Sequence, residues 1–171
     1  CALPIYTMIV ADAMVVIHLA KITILRDFCK HTKVIISPII EKETTKFPEK
    51  HPEAVLIKEL IERNELQVHR LKEKNTLKEI HKYNIQRGEA EALALLIQKK
   101  AAALATDDNT VLRRRDVMGF KTVSTPFIIL KMYKEKIISR EKLHNSINKL
   151  KKIGWFSNAV LDAALQEAEN E

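Results

Sequence analysis

The chain contains little glycine and little cysteine, and each shortage excludes a class of protein. Its 171 residues include three glycines, Gly88, Gly119 and Gly154. The clustered glycines of a dinucleotide-binding loop, a phosphate-binding loop or a G-x-S-x-G nucleophile elbow are therefore missing. The two cysteines, Cys1 and Cys29, provide neither a disulfide framework nor a zinc pattern, which predicts a reducing, cytoplasmic location.

Long apolar runs, closely spaced histidines and aromatic residues are also scarce. Charged residues interrupt the apolar N-terminal third, so no uncharged stretch approaches the ~20 residues that span a bilayer. No two of the six histidines are three or four residues apart, so a histidine-ligated metal site is not supported, and each histidine is predicted to lie at the surface or to line a site. Aromatic residues make up 5% of the chain, too few for a base-stacking sheet, and we expect Trp155 and Phe156 to anchor the last helix or contact a dimer partner.

Positive charge is in excess. The formal net charge is +7, and residues 162–171 contain four acids and no Lys or Arg, so residues 1–161 carry +11. Such a body attracts polyanions, although basic surfaces also occur in proteins that do not bind nucleic acid. The densest basic run is Arg113 to Arg115, of which one or two side chains at most could meet the same RNA strand.

Short apolar runs alternate with helical patterns along the chain. Strands are predicted at 9–11, 34–36, 66–71, 101–105 and 121–124, and the last helices at 126–135, 139–152 and from 157 to the end. This order predicts an α/β fold with a parallel central sheet of about four to five strands, helices on both faces and a helical C-terminal extension. We expect one domain over residues 8–171, preceded by a non-native or disordered leader at 1–7 that lacks the features of a signal peptide.

Acidic residues occur at related places in this pattern. Asp12 and the pair Asp107 and Asp108 directly follow strands, Glu43 lies in the second turn of a helix, and Glu89 begins the strongest helix of the chain. Ligands of open parallel sheets bind outside the carboxyl ends of the strands, so all these acids can face one crevice. Clustered carboxylates favour Mg²⁺ or Mn²⁺, although each acid alone is more often a helix cap or a solvated side chain.

Helix geometry selects between neighbouring acids. Residues two apart on a helix point about 200° apart, so only one of Glu89 and Glu91, and only one of Glu41 and Glu43, can enter the crevice. Glu89 is preferred because it lies in the first helical turn. Glu43 is preferred over Glu41.

Four acidic segments and a tail resemble the motifs of PIN-domain nucleases. They stand in the family's order and near its usual separations, on the alternating β/α pattern expected of it. The resemblance covers about residues 8–168, and the tail resembles that of a prokaryotic subgroup related to VapC toxins. The segments are Ile-Val-Ala-Asp at 9–12, Ser-Pro-Ile-Ile-Glu-Lys-Glu at 37–43, Arg-Gly-Glu-Ala-Glu-Ala-Leu-Ala-Leu at 87–95, Ala-Thr-Asp-Asp at 105–108 and Ile-Gly-Trp-Phe-Ser at 153–157.

The resemblance implies a Mg²⁺- or Mn²⁺-dependent ribonuclease with a PIN-like fold. Carried onto this sequence, its metal ligands and catalytic residues would be Asp12, Glu43, Glu89 and either Asp107 or Asp108. Metal-bound water would attack the RNA phosphodiester, and no side-chain nucleophile is needed. Such proteins are often the toxin of a toxin–antitoxin pair and often homodimers, so an antitoxin protein and a second copy are the expected protein partners.

Two positions depart from the family pattern. Met14 stands where Asn, Ser or Thr is usual, and its thioether cannot hydrogen-bond a carboxylate or a metal-bound water. Glu89 replaces the commoner Asp and is a longer ligand. Thr106 could steady a carboxylate through its hydroxyl or could simply end a strand. The alternative interpretation is a non-catalytic RNA- or protein-binding module with an impaired site.

Overall fold

The computed structural model describes residues 8–72, 75–81, 85, 87–109, 111–113 and 119–170. The predicted leader at 1–7, and Arg114 and Arg115 of the predicted basic run, lie outside these residues. Within them the sheet has five strands: β1 (Ile9–Ala11), β2 (Val34–Ile36), β3 (Leu66–Val68), β4 (Ala103–Ala105) and β5 (Thr122–Val123). All neighbouring strands are parallel, in the order β3-β2-β1-β4-β5.

Helices connect the strands and form the C-terminal part of the chain. Those that we number are α1 (Ala13–Lys21), α2 (Leu25–His31), α3 (Pro38–Thr44), α4 (Pro52–Glu62), α5 (Asn75–His81), α6 (Arg87–Lys99), α7 (Thr125–Lys134), α8 (Arg140–Ile153) and α9 (Asn158–Glu169). The last three pack against one another as the predicted helical extension. No helix in the described ranges is long and apolar enough to cross a membrane.

Both faces of the sheet are covered. Successive residues of a strand point to opposite faces, and all three residues of β1, of β2 and of β4 are buried. Apolar runs without alternation are typical of parallel strands that lie between helices. The predicted α/β fold with a parallel sheet of four to five strands is therefore confirmed.

Several predicted boundaries are wrong by a few residues. The strand predicted at 66–71 ends at Val68, because only this short edge segment pairs with β2, and the strand predicted at 101–105 begins at Ala103. Helices α2 and α5 were not predicted, since each is seven residues long and shows little apolar periodicity.

Two helices bring acidic residues to the sheet. The predicted start of α3 is confirmed: the Ser37 hydroxyl accepts the Ile40 N–H, and Pro38 occupies the first turn. Helix α6 packs against β1 and β4 and is largely buried through Ala90, Leu93 and neighbouring apolar residues, as expected of a central helix. Rigid packing of α6 fixes the direction in which its first turn points.

Candidate active site

A cavity of about 200 Å³ lies beyond the carboxyl end of β1. We call it the carboxylate cavity; the residues that line it include Asp12, Met14, Ile40, Glu43, Gly88 and Glu89. From β1 the sheet continues in one direction to β2 and in the other to β4, so the strand order reverses beside this point. Open α/β sheets bind their ligands at such a switch point. Three of the predicted acids thus meet although they come from β1, α3 and α6.

Asp12 is the buried member of this set. Its Oδ1 accepts the Val15 N–H at 2.9 Å, which makes it the N-cap of α1, and the Thr106 hydroxyl donates a second hydrogen bond to its side chain. Its own N–H donates to the Ala105 carbonyl at 2.9 Å. Asp12 therefore caps α1 and also lines the carboxylate cavity. Thr106 has the predicted carboxylate-steadying role.

The charge on Asp12 is unfavourable in the metal-free protein. Burial is the main cause that raises the pKa of Asp12 from 3.8 to about 6. The negative charges of Asp107 and Asp108 raise it further, whereas the hydrogen bonds from Thr106 and Val15 lower it. A cation in the cavity would offset both burial and like-charge repulsion.

Glu43 and Gly88 fit closely together. A Cβ added at Gly88 would lie 3.3 Å from Oε2 and 3.4 Å from Oε1 of Glu43, so any larger residue at this position would crowd the carboxylate. Glu43 is otherwise exposed and faces the cavity, whereas Glu41 is not among the lining residues. Helix α3 is therefore rotated as the sequence predicted.

Glu89 extends into the same cavity from the first turn of α6. It is half-buried, and Glu91, two residues on, is not among the lining residues. The structure thus places Glu89, which was preferred because it lies in the first helical turn, beside Asp12 and Glu43.

Asp107 is engaged by other parts of the protein. Its Oδ1 accepts the Thr125 N–H at 2.7 Å, and its Oδ2 accepts the Thr125 hydroxyl at 2.6 Å and the Nδ1–H of His18 at 2.8 Å. Its main-chain carbonyl accepts the indole N–H of Trp155 at 3.2 Å. These contacts hold the buried Asp107 side chain between α1 and α7, away from the lining of the carboxylate cavity.

Asp108 is placed differently. It is half-buried, its N–H donates to the Thr106 hydroxyl at 3.1 Å, and its Oδ1 accepts the Val111 N–H at 3.2 Å as a helix cap. It is not a lining residue either, but its charge acts on Asp12. The sequence left Asp107 and Asp108 unranked; the geometry favours Asp108 as the fourth acid because both carboxylate oxygens of Asp107 accept hydrogen bonds from His18 and Thr125.

His18 was missed as a site residue. It was predicted to lie at the surface or to line a site, and the surface position is wrong, because His18 is buried on the inner face of α1 and bonds Asp107. A usable signal was present: position 18 is three residues after buried Val15 and precedes buried Leu19, so a polar side chain there needs a partner. Thr125, the other partner, follows a strand and carries no comparable signal.

The carboxylate cavity fits a divalent cation. Its three acids supply only oxygen donors, which Mg²⁺ and Mn²⁺ prefer, and Gly88 leaves room beside Glu43. Over the described part of the chain, no three His, Cys, Asp or Glu side chains are arranged for joint direct ligation. Mg²⁺ does not require that, since it keeps several waters and takes one or two carboxylates. Met14 lines the cavity and contributes no hydrogen bond donor.

Comparison with known proteins agrees with this arrangement. A family model described as PIN domain matches residues 8–170. No curated protein and no solved structure matches the chain. With a parallel sheet, three acids at its switch point and a match over nearly its whole length, the chain belongs to the PIN-domain family, whose members are typically nucleases that use divalent metals.

Proposed function

We propose that the protein is an endoribonuclease that needs Mg²⁺ or Mn²⁺ to hydrolyse RNA phosphodiester bonds. The observation that carries this proposal is the meeting of Asp12, Glu43 and Glu89, from three separate elements, in one cavity at the switch point. Membership of the PIN-domain family supports nuclease activity in general. That the substrate is RNA is the part that we propose beyond it.

Each acid of the cavity has a distinct part to play. Asp12 is fixed by Val15 and Thr106, so its carboxylate needs no reordering when a cation or phosphate arrives. Glu43 and Glu89 face the cavity from two helices and would complete the ligand set with Asp108. When bound, Mg²⁺ or Mn²⁺ lowers the pKa of a water and neutralises charge on the phosphate.

Asp107 has a supporting part in this proposal. Its bonds to His18 and Thr125 join α1, the end of β4 and α7, and so hold residues 106–108 beside Asp12. Because the Thr106 hydroxyl bonds Asp12, a shift of this segment would move the metal-binding carboxylate.

The charge of the chain supports a nucleic-acid substrate. Residues 1–161 carry +11, and a positive body gathers polyanions at its surface. An antitoxin protein and a homodimer, which the VapC-like resemblance implies, stay predictions. So does a cytoplasmic location.

The experiment is cleavage of an end-labelled single-stranded RNA by the wild type with Mg²⁺, with Mn²⁺ and with EDTA. Glu43→Gln should reduce the metal-dependent rate by about 100-fold or more. Glu41→Gln, on the same helix but outside the cavity, is the matched control and should keep most of it. Equal activity in EDTA, or equal loss in both variants, would contradict the proposal.

The second candidate is a non-catalytic RNA- or protein-binding module. Met14 favours it, because it lines the cavity where the family usually has a hydrogen-bonding residue. This candidate predicts no cleavage of any RNA and no stabilisation of the wild type by Mg²⁺ or Mn²⁺. Met14→Asn in the cleavage assay distinguishes a weakened site, whose rate would rise, from one that has no catalytic part.

A further inference from the structure

A second cavity, of about 390 Å³, adjoins the segment that supports Asp12. We call it the tryptophan cavity; its lining includes Asp107, Asn109, Leu112, Trp155, Phe156 and Val160. The two cavities are linked through residues 106–108, since Thr106 bonds Asp12 and Asp107 lines the tryptophan cavity. A polymer that binds the carboxylate cavity and extends along residues 106–108 would bring a neighbouring unit towards the tryptophan cavity.

Trp155 is half-exposed, with 50% of its surface accessible, yet its orientation is fixed. The indole N–H donates to the Asp107 carbonyl at 3.2 Å, so the polar edge of the ring is satisfied. His18 lies against it from the inside, with ring centroids 5.8 Å apart, and lies 5.5 Å from the ring of Phe156. Of the two predicted roles of Trp155, packing against the last helix accounts for this inner contact, and contact with a dimer partner would use the exposed ring surface, which a ligand could equally cover.

The rest of the lining combines apolar and polar groups. Leu112 and Val160 add apolar surface, and Val160 is itself 50% exposed. Asn109 and Ser124 add groups that donate and accept hydrogen bonds, and the Ser124 side chain does not cap α7. A flat heterocycle with an apolar face and a polar edge matches this lining. Planar aromatic side chains are common stacking platforms for nucleobases.

We infer that the tryptophan cavity binds one nucleobase of the RNA, next to the phosphate that occupies the carboxylate cavity, with the base stacked on Trp155. The inference rests on the proposed function for the identity of the polymer. It adds a contact that depends on the base, whereas the cationic surface contacts phosphates of any sequence.

Trp155 is the one tryptophan of the chain, so its fluorescence reports on this cavity alone. The protein in EDTA is titrated with an oligouridylate of about ten residues and with an abasic ribose-phosphate chain of the same length and charge. Oligouridylate should quench Trp155 and bind about tenfold or more tightly than the abasic chain, which should leave the emission nearly unchanged. Equal quenching by both probes, or by neither, would overturn the inference.

Variants test the same point without tryptophan fluorescence, through the anisotropy of dye-labelled probes. Trp155→Leu should abolish the preference for oligouridylate over the abasic chain, and Trp155→Phe, which restores a flat ring, should retain most of it. Phe127→Leu alters another exposed aromatic residue that does not line the cavity, and it should behave as the wild type. Loss of the preference in Phe127→Leu as well would contradict the assignment to Trp155.

Failure of this inference and failure of the nuclease proposal give different results. Metal-dependent cleavage without a base-dependent signal would overturn the base site alone. A base-dependent signal without cleavage in any metal would overturn the nuclease and keep the base site. Trp155 emission that changes with protein concentration in the absence of RNA, and a dimer lost in Trp155→Leu, would assign the cavity to a second copy of the chain and overturn the inference.

Discussion

Nδ1 of His18 lies 2.8 Å from Oδ2 of Asp107, and both side chains are buried. The bond joins residues that are 89 positions apart, one in the middle of α1 and one just after β4. Because Asp12 caps α1, this contact couples the helix behind the buried acid to the segment that carries Asp108. The two consecutive aspartates therefore have different roles: Asp107 belongs to a buried network, and Asp108 is the proposed fourth acid.

Exchanging each aspartate for asparagine should separate these parts. Asp107→Asn replaces an acceptor of three hydrogen bonds in the buried network, and it should lower the free energy of unfolding by about 2 kcal/mol. Asp108→Asn keeps an acceptor for the Val111 N–H, so it should destabilise the protein less than Asp107→Asn does, while metal-dependent cleavage falls about 100-fold. Denaturant unfolding and cleavage assays measure the two effects. Full activity in Asp108→Asn would reject it as the fourth acid.

The two glutamates of α6 provide a test of helix orientation. Glu89→Gln should reduce cleavage by about 100-fold or more, since it removes a carboxylate from the cavity, whereas Glu91→Gln should leave most of the activity. Initial rates on one labelled RNA at saturating Mg²⁺ are sufficient. The reverse order of the two variants would show that α6 presents the other face.

Asp12 should make the stability of the metal-free protein depend on pH. Its pKa is about 6 in the folded chain and 3.8 as the ordinary value, so the folded state holds the proton more tightly. The contribution of Asp12 to the free energy of unfolding is therefore greatest below pH about 4, where the side chain is protonated. It falls as pH rises through about 6, by about 3 kcal/mol at most.

Asp12→Asn has no such proton and still caps α1, so its stability advantage over the wild type should grow between pH 4 and 7. Urea unfolding in EDTA at several pH values measures the difference, in which other titrating groups cancel. An advantage that does not change with pH would contradict the burial of an ionised Asp12.

Cys29 should be unreactive in the folded protein. Burial and the nearby charge of Glu65 raise the pKa of its thiol from 9.0 to about 12. In a Cys1→Ser variant, alkylation by iodoacetamide near pH 8 should be about 1,000-fold slower than in urea, because the thiolate is the reactive form. Peptide mass spectrometry measures the rate. Rapid native labelling would show that the edge of the sheet beside Cys29 opens.

RNA binding should depend strongly on salt. The +11 charge of residues 1–161 implies release of counterions from the RNA on binding. Affinity for a single-stranded oligonucleotide in EDTA should fall by about tenfold or more between about 50 mM and about 200 mM salt. Fluorescence anisotropy measures it. An affinity that is flat with salt would remove RNA as the partner.

The alternation of strands and helices could be predicted because it depends on local apolar runs. Residues 9–11 and 34–36 are apolar, and each is followed directly by a residue that caps the next helix, so both strand ends were found. The end of β3 was misplaced because pairing with β2 stops at Val68, and this pairing depends on the tertiary fold and not on the local sequence. Helix α2 is short and is stabilised by its packing, so no periodic pattern revealed it.

The geometry of a single helix narrowed the choice of acidic residues from sequence alone. The choice between Asp107 and Asp108 stayed open because it depends on contacts with distant parts of the chain. The 100° per residue of a helix limits α3 and α6 to one acid of each pair, and the preferred members, Glu43 and Glu89, line the cavity. The difference between Asp107 and Asp108 depends on His18 and Thr125, which meet Asp107 only in the folded chain. The sequence did not distinguish packing of Trp155 from a dimer contact for the same reason, since its bond to the Asp107 carbonyl and its 50% exposure arise only in the folded chain.

Titration of Mn²⁺ into metal-free protein, followed by the paramagnetic resonance of free Mn²⁺, measures directly whether the carboxylate cavity binds a metal ion. The wild type and Glu41→Gln should bind Mn²⁺ with equal affinity, and Glu43→Gln should bind it about tenfold or more weakly. The wild-type cleavage rate of RNA should saturate over the same Mn²⁺ range. Absence of binding to the wild type, or equal binding by Glu43→Gln, would contradict the claim that these carboxylates form the metal centre of a nuclease.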